Sequence, residues 1–196
     1  MANSHSRPEY IINVMARDRP GIVAGIGKAI FELGGNIEEL SQTVVRGYFT
    51  IIVCATFPEP LPPCERVKEA IAGTGAPDEL QVMVRIREPD EPLSATPPTY
   101  DHFILTVFGR DQPGIIYRMA SYLAGRGINI TDLYGRTRES GFMMVLELSV
   151  PPELDPRELK RDLEELGHSI GLSAHFQHEN LFKATHDLRS LATLTP

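Results

Sequence analysis

From Tyr10 to Ala16 the chain is dominated by branched and aliphatic residues, the signature of a strand, and from Ile22 the apolar positions change period. Ile22, Ile26, Ile30 and Leu33 recur at helical spacing, which predicts a helix from about Gly21 to Leu33. Pro20 presets the φ of its first turn, and Gly34-Gly35 ends it through a left-handed cap. Strands follow over Ile37 to Arg46 and Tyr48 to Phe57, turning near Gly47. The second of these is apolar on both alternating faces, which predicts cover on both sides. A short helix over Pro63 to Ala72 and the alternation of Leu80, Val82, Val84 and Ile86 complete a βαββαβ order.

The same order returns. Sliding the chain by 93 positions superposes Tyr10 to Leu40 on Phe103 to Leu133 without a gap, with eleven identities in thirty-one positions. Ordinary composition gives roughly two. The rest of each copy aligns after one inserted residue, which sets Gly47-Tyr48-Phe49 against Gly141-Phe142-Met143. The second set of elements is Phe103 to Phe108, Gly114 to Arg126, Ile130 to Arg138, Phe142 to Val150, Pro156 to Leu166 and Leu172 to Phe176. Asp155-Pro156-x-Glu158 supplies a capping side chain, a first-turn proline and a first-turn acid. A duplication of this kind decides the architecture before local propensity does. It divides the chain into an N-terminal segment 1–9, a first unit 10–88, a Pro-rich linker 89–100, a second unit 101–178 and a tail 179–196. In the tail, Leu181, Phe182, Leu188 and Leu191 predict partly helical structure.

Charge narrows the range of functions. The 196 residues carry a formal charge of -7, and neither half is basic. Without a Lys/Arg stripe the term that dominates nucleic-acid affinity is missing, so no direct DNA or RNA partner is expected. No apolar run is long enough to span a bilayer, and the first eight residues lack the apolar core of a signal peptide, which predicts a cytoplasmic protein with no membrane partner. Cys54 and Cys64 read as reduced thiols.

The motif that survives in both copies is Arg-Asp-x-Pro-Gly-Ile, at Arg17 to Ile22 and Arg110 to Ile115, followed by Asn36-Ile37 and Asn129-Ile130. A glycine where a strand turns into a helix exposes backbone N–H groups at the positive end of the helix dipole, which suits a carboxylate. Asn36 and Asn129 open the next strand, where an amide can meet an α-amino group. Caps and turns explain the same residue types: Asp18 as a helix cap, Gly21 for packing, Asn36 in a left-handed turn. Gly25-Ile26-Gly27-Lys28 fails as a phosphate loop, because Ile22 and Ala29 occupy positions that require Gly and Ser/Thr. His168, His175, His178 and His186 lack metal-ligand spacing, no nucleophile has a supporting base, and neither a metal, a cofactor nor an enzymatic activity is expected.

Arg-Asp-Arg-Pro-Gly-Ile-Val, then Gly-Gly-Asn-Ile, then Leu-Ser-Gln-Thr-Val-Val-Arg-Gly-Tyr-Phe-Thr resemble the ACT domain, a ferredoxin-like regulatory module. Two such units without a catalytic domain are similar to the glycine cleavage system transcriptional repressor family, and His178 to His186 resemble the tail of stand-alone bacterial ACT proteins. The resemblance implies an α+β fold of two tandem ferredoxin-like βαββαβ domains, with antiparallel sheets and helices on one face. It also implies an amino-acid ligand at ACT–ACT interfaces, held by the strand-to-helix loop of one unit and the start of the second strand of another. Carried over by position, this nominates Asp18, Pro20, Gly21, Ile22, Asn36 and Ile37, with Asp111, Pro113, Gly114, Ile115, Asn129 and Ile130. Ile128 in place of Gly35, and Arg136-x-Arg138 in place of Thr43-x-Val45, imply unequal sites. The expected role is a regulator signalling through protein partners, with a ligand-free adaptor and a regulatory subunit of a metabolic enzyme as alternatives. The surplus of apolar strand residues in the second unit, Phe142 to Val150, predicts a homodimer.

Overall fold

The computed structural model describes residues 8–87, 100–138 and 141–185. The linker prolines and tail residues Leu188 and Leu191 lie outside the described residues. The chain falls into two compact units, 1–93 and 94–196. The first runs β1 (Glu9–Arg17), α1 (Ile22–Glu32), β2 (Asn36–Val45), β3 (Tyr48–Thr56), α2 (Cys64–Ala72) and β4 (Gln81–Arg87). The second runs β5 (Asp101–Gly109), α3 (Ile115–Gly125), β6 (Asn129–Arg138), β7 (Gly141–Val150), α4 (Pro156–Ser169) and β8 (Leu172–His178), and ends in α5 (Glu179–Thr185). Each is an antiparallel sheet, ordered β2-β3-β1-β4 and β6-β7-β5-β8. These are tandem ferredoxin-like βαββαβ units.

In the first unit Tyr10, Ile12 and Val14 of β1 alternate onto one face with Ile51, Val53 and Ala55 of β3, and Ile22, Ile26 and Ile30 of α1 close over them. The Tyr10 hydroxyl donates to the Pro62 carbonyl at 2.7 Å, which fixes the loop ahead of α2. The sequence implied cover on the other face of β3 as well; among the described residues of the first unit that face stays partly open, and Ile52 is 50 % exposed. The second unit treats the corresponding face differently. α5 lies against β5 and β8, its Phe182 is 3 % exposed, and Ile104 on β5 is 1 % exposed.

The hairpins need no inserted residue. Val44 pairs with Phe49 and Thr137 with Phe142, while Ile12 pairs with Val53 and Leu105 with Leu146. The offset of 93 therefore persists through β3 and β7. Glycines at the turns had suggested a shifted alignment, but the alternation of core residues sets the pairing. Asp155 accepts from the Arg157 amide at 2.8 Å, with Pro156 opening α4. That helix runs three residues beyond Leu166.

Candidate functional site

Gly21 is the N-cap of α1 with φ 93°, and Gly114 the N-cap of α3 with φ 89°, both left-handed. Pro20 therefore precedes the cap instead of opening the helix, and Pro20-Gly21 form the corners of a turn whose second corner demands positive φ. Asp18 does not cap α1 through its side chain. Its amide donates to the Gly47 carbonyl at 2.9 Å, pinning the loop to the β2–β3 turn. That turn places Arg46 at φ 50° and Gly47 at φ 78°, the pattern of a two-residue hairpin. In the second unit the Thr137 hydroxyl donates to Asp111 at 3.3 Å, so this loop also meets the hairpin end.

A glycine cap has no side chain, so neither helix start carries a side-chain cap bond to its first-turn amides, and both cap loops are exposed. An added Cβ at Gly21 would approach only Arg19, at 3.7 Å, and one at Gly114 would meet nothing within 4 Å. Among the described residues there is room for a side chain at each cap glycine. Ile22 and Ile115, one residue on, point inward and are buried, anchoring each turn to its core.

Asn36 and Asn129 stand at the opposite end of each sheet. Asn36 pairs with Thr56, which pairs with Glu9, whereas the loop leaves from Arg17, the far end of the same strand. Helix α1 adds 11 residues between them, about 16 Å at 1.5 Å each. Within a unit, Gly21 and Asn36 are therefore not brought together. At both Asn ends the β2–β3 and β6–β7 ladders slip, between Ile37 and Glu39 and between Ile130 and Asp132. The duplicated bulge turns the extra residue, Glu38 or Thr131, out of register, and no residue-type signal announces it. Glu38 accepts from Asn36 Nδ2 at 3.0 Å and from the Thr56 hydroxyl at 2.9 Å. These bonds, the Asn36 one first, hold its carboxyl below its ordinary range. This end of the first unit thus presents an ionised acid beside an amide, groups that match an ammonium. Thr131 Oγ1 instead donates to the Glu147 carbonyl at 3.3 Å, so the second unit offers no acid at that position.

The substitution of Ile128 for Gly35 is a packing exchange. A Cβ on Gly35 would lie 2.5 Å from Phe57 Cε1, while Ile128 is itself a core residue. The preceding glycines, Gly34 at φ 75° and Gly127 at φ 68°, close both helices in the same way, with Gly35 and Ile128 amides returning to Ile30 and Leu123. Arg136 is exposed on β6, and the side chain of Arg138 lies outside the described residues.

Among the described residues no three His, Cys, Asp or Glu side chains gather to hold a metal ion, and no helix is long and apolar enough to cross a membrane. His175 stacks on Phe108 at 5.4 Å, and His178 Nδ1 accepts from the Asn180 amide at 3.2 Å. Both cysteines are free, and burial pushes the Cys54 thiol up.

Models of the ACT domain match residues 10–66 and 101–177. A UPF0237 protein of Methanococcus maripaludis is 36 % identical over 87 residues, which is 44 % of this chain and 97 % of the relative. A crystal structure of an unknown protein from Galdieria sulphuraria superposes with a TM-score of 0.72 at 22 % identity, covering 87 % of this chain and 97 % of its own. A candidate glycine cleavage system transcriptional repressor superposes with a TM-score of 0.62 at 18 % identity, covering 88 % and 98 %. Both crystal structures share the fold. With two matched domains, a bulge and a left-handed helix cap repeated in each, and a relative covered almost end to end, this chain belongs to the ACT-domain family.

Proposed function

We propose that this chain is a non-enzymatic regulatory protein that binds an amino acid between ACT units and signals through protein partners in the cytoplasm. The observation that carries the reading is the duplicated pair of left-handed glycine caps, which leaves the first-turn amides of α1 and α3 open to a carboxylate. Because the Asn-Ile end lies across the sheet from the loop, an amino acid meeting both needs the loop of one ACT unit and the strand start of another. The ligand-binding residues are then Asp18, Pro20, Gly21, Ile22, Asn36 and Ile37, and Asp111, Pro113, Gly114, Ile115, Asn129 and Ile130, with Glu38 as the added partner for an ammonium. Occupancy transmits a signal only if it binds one arrangement of units better than another.

A thermal-shift screen of the twenty amino acids on the full chain tests this. Calorimetry on Gly21→Leu, Gly114→Leu, Asn36→Ala and Asn129→Ala then assigns the site. Gly21→Leu and Gly114→Leu abolish binding at their own site, and the Asn variants weaken it by about 1 to 3 kcal/mol through the lost charged hydrogen bond. Unchanged affinity in all four removes the site.

One observation favours a second reading, a homodimeric adaptor. Val23 and Leu40 are 45 % and 49 % exposed, and their counterparts Ile116 and Leu133 are 48 % and 38 % exposed. Apolar exposure repeated at matched positions beside an edge strand is what a protein partner would cover. No amino acid shifting the melting temperature, together with a dimeric mass, selects this reading.

A further inference from the structure

The one residue of Asp-x-Pro-Gly that differs between the copies ties each loop down. In the first unit it is Arg19, whose Nε and Nη2 both donate to the Glu79 carboxylate, the second at 3.0 Å, while Nη1 donates to the Pro20 carbonyl at 3.1 Å. Glu79 lies between α2 and β4 and accepts from the Ala76 amide at 2.7 Å. In the second unit the residue is Gln112, whose Nε2 donates to the carbonyl of Ile170, the C-cap of α4 just ahead of β8. A forked ion pair and a neutral amide bond thus reach the same structural address, the connection between the second helix and the last strand. The duplicated fold sets this loop position beside the same connection in both units, and in each the side chain there bonds to it.

We propose that Arg19 and Gln112 are positioning residues that strap each ligand loop to the end of the second helix of its own unit. Each strap holds the Pro-Gly turn in the form that presents the helix amides, so ordering of the turn and of the distant connection rise and fall together. The functional use of the strap rests on the ligand-loop reading above. The coupling itself belongs to the chain without ligand. Its chemistry differs between units: salt screens the exposed ion pair of the first and leaves the neutral bond of the second unaffected.

Residue-resolved amide exchange on the full chain tests it. The reporters are Asp18 and Gly25 in the first unit, whose amides donate to the Gly47 and Gly21 carbonyls, and Arg118 in the second, whose amide donates to the Gly114 carbonyl. Glu79→Gln keeps an acceptor for Ala76 but removes the charge. It should speed exchange at Asp18 and Gly25 by about two- to fivefold, the range of an exposed ion pair, and leave Arg118 unchanged. Arg19→Ala should do the same, and Gln112→Ala should speed Arg118 alone. Raised salt should speed Asp18 and Gly25 but not Arg118. Acceleration confined to residues 76–80 in Glu79→Gln, or wild-type exchange at Asp18 and Gly25 in Arg19→Ala, overturns the proposal. Failure of every amino acid to bind would refute the ligand reading and leave this result intact.

Discussion

Gly25 and Gly27 lie two residues apart in the middle of α1, yet alanine should act on them unequally. A helix-interior glycine is worse than alanine by about 0.5 to 1 kcal/mol, so each substitution starts with that gain. At Gly27 a Cβ meets nothing within 4 Å, and the full gain should appear, roughly 2 to 8 °C in the melting temperature of a unit this size. At Gly25 a Cβ would lie 2.8 Å from Thr74 Oγ1 and 3.1 Å from Thr74 Cβ. Thr74 is not free to swing away, because its hydroxyl donates to the Ile71 carbonyl at 2.7 Å at the end of α2. Breaking that bond costs about 0.5 to 1.5 kcal/mol, and moving the helices apart about 1 to 3 kcal/mol. Gly25→Ala should therefore be less stable than Gly27→Ala by about 0.5 to 1.5 kcal/mol if the Thr74 bond gives way, and by up to about 3 kcal/mol if the helices part instead. Urea unfolding of the full chain, followed by residue-resolved signals so that each unit is read separately, measures the difference. Thr74→Ala should recover part of the loss in the double variant, a coupling of at least about 0.5 kcal/mol. A Gly25→Ala protein as stable as Gly27→Ala would refute the reasoning.

Three further outcomes follow from particular contacts. The Arg19 side chain first, and then the Ala76 amide, hold the Glu79 carboxyl down to about 2 from its ordinary 4.5. The stabilisation is complete above pH 4.5 and lost as the pH falls to about 2, so Glu79→Gln should flatten acid unfolding of the first unit in that window, and an unchanged acid limb argues against the link. Burial, with a hydrogen bond to Asp162 at 3.0 Å, pushes the Tyr122 phenol up to about 12 from 10.0, so it should titrate late in ultraviolet titration, as should Tyr10, which burial also pushes up. Its neutral form supports the second unit below pH 10 and that support fades toward 12, a loss that Tyr122→Phe should not show. Leu40→Lys and Leu133→Lys place charge on the exposed apolar stripe and should convert a dimeric mass in light scattering to a monomeric one; a wild-type chain already monomeric at high concentration removes the dimer.

What the sequence made legible is what repeats with a residue-type signature. The strand, the Pro-Gly turn and the paired helix ends were preserved by duplication, and left-handed glycines at Gly21, Gly114, Gly34 and Gly127 bear out the boundaries they mark. The bulge at Glu38 and Thr131 was not legible, because it follows from the ladder and not from either residue's propensity. Nor was the Arg19 strap, since Arg19 and Glu79 meet across 60 residues and only folding makes them neighbours. Ile128 against Gly35 implies a difference between sites, and only folding adds its packing side: Phe57 occupies the space a side chain at Gly35 would need.

The hardest feature to see along the chain is the distance inside the motif itself. Fifteen residues separate Gly21 from Asn36, close enough in sequence to pass for one local site. Most of that interval is a rigid helix returning antiparallel to β1, so nearness along the chain becomes separation across the sheet. An amino acid carries its carboxylate and ammonium on one carbon and cannot span that helix. If both ends of the motif serve one ligand, the duplication places matching halves on different units, and ligand affinity must then depend on how ACT units associate. Dilution that dissociates the copies should weaken binding under that arrangement when the second unit comes from another copy, and affinity unchanged where the measured mass is that of a monomer would assign both halves to a single chain.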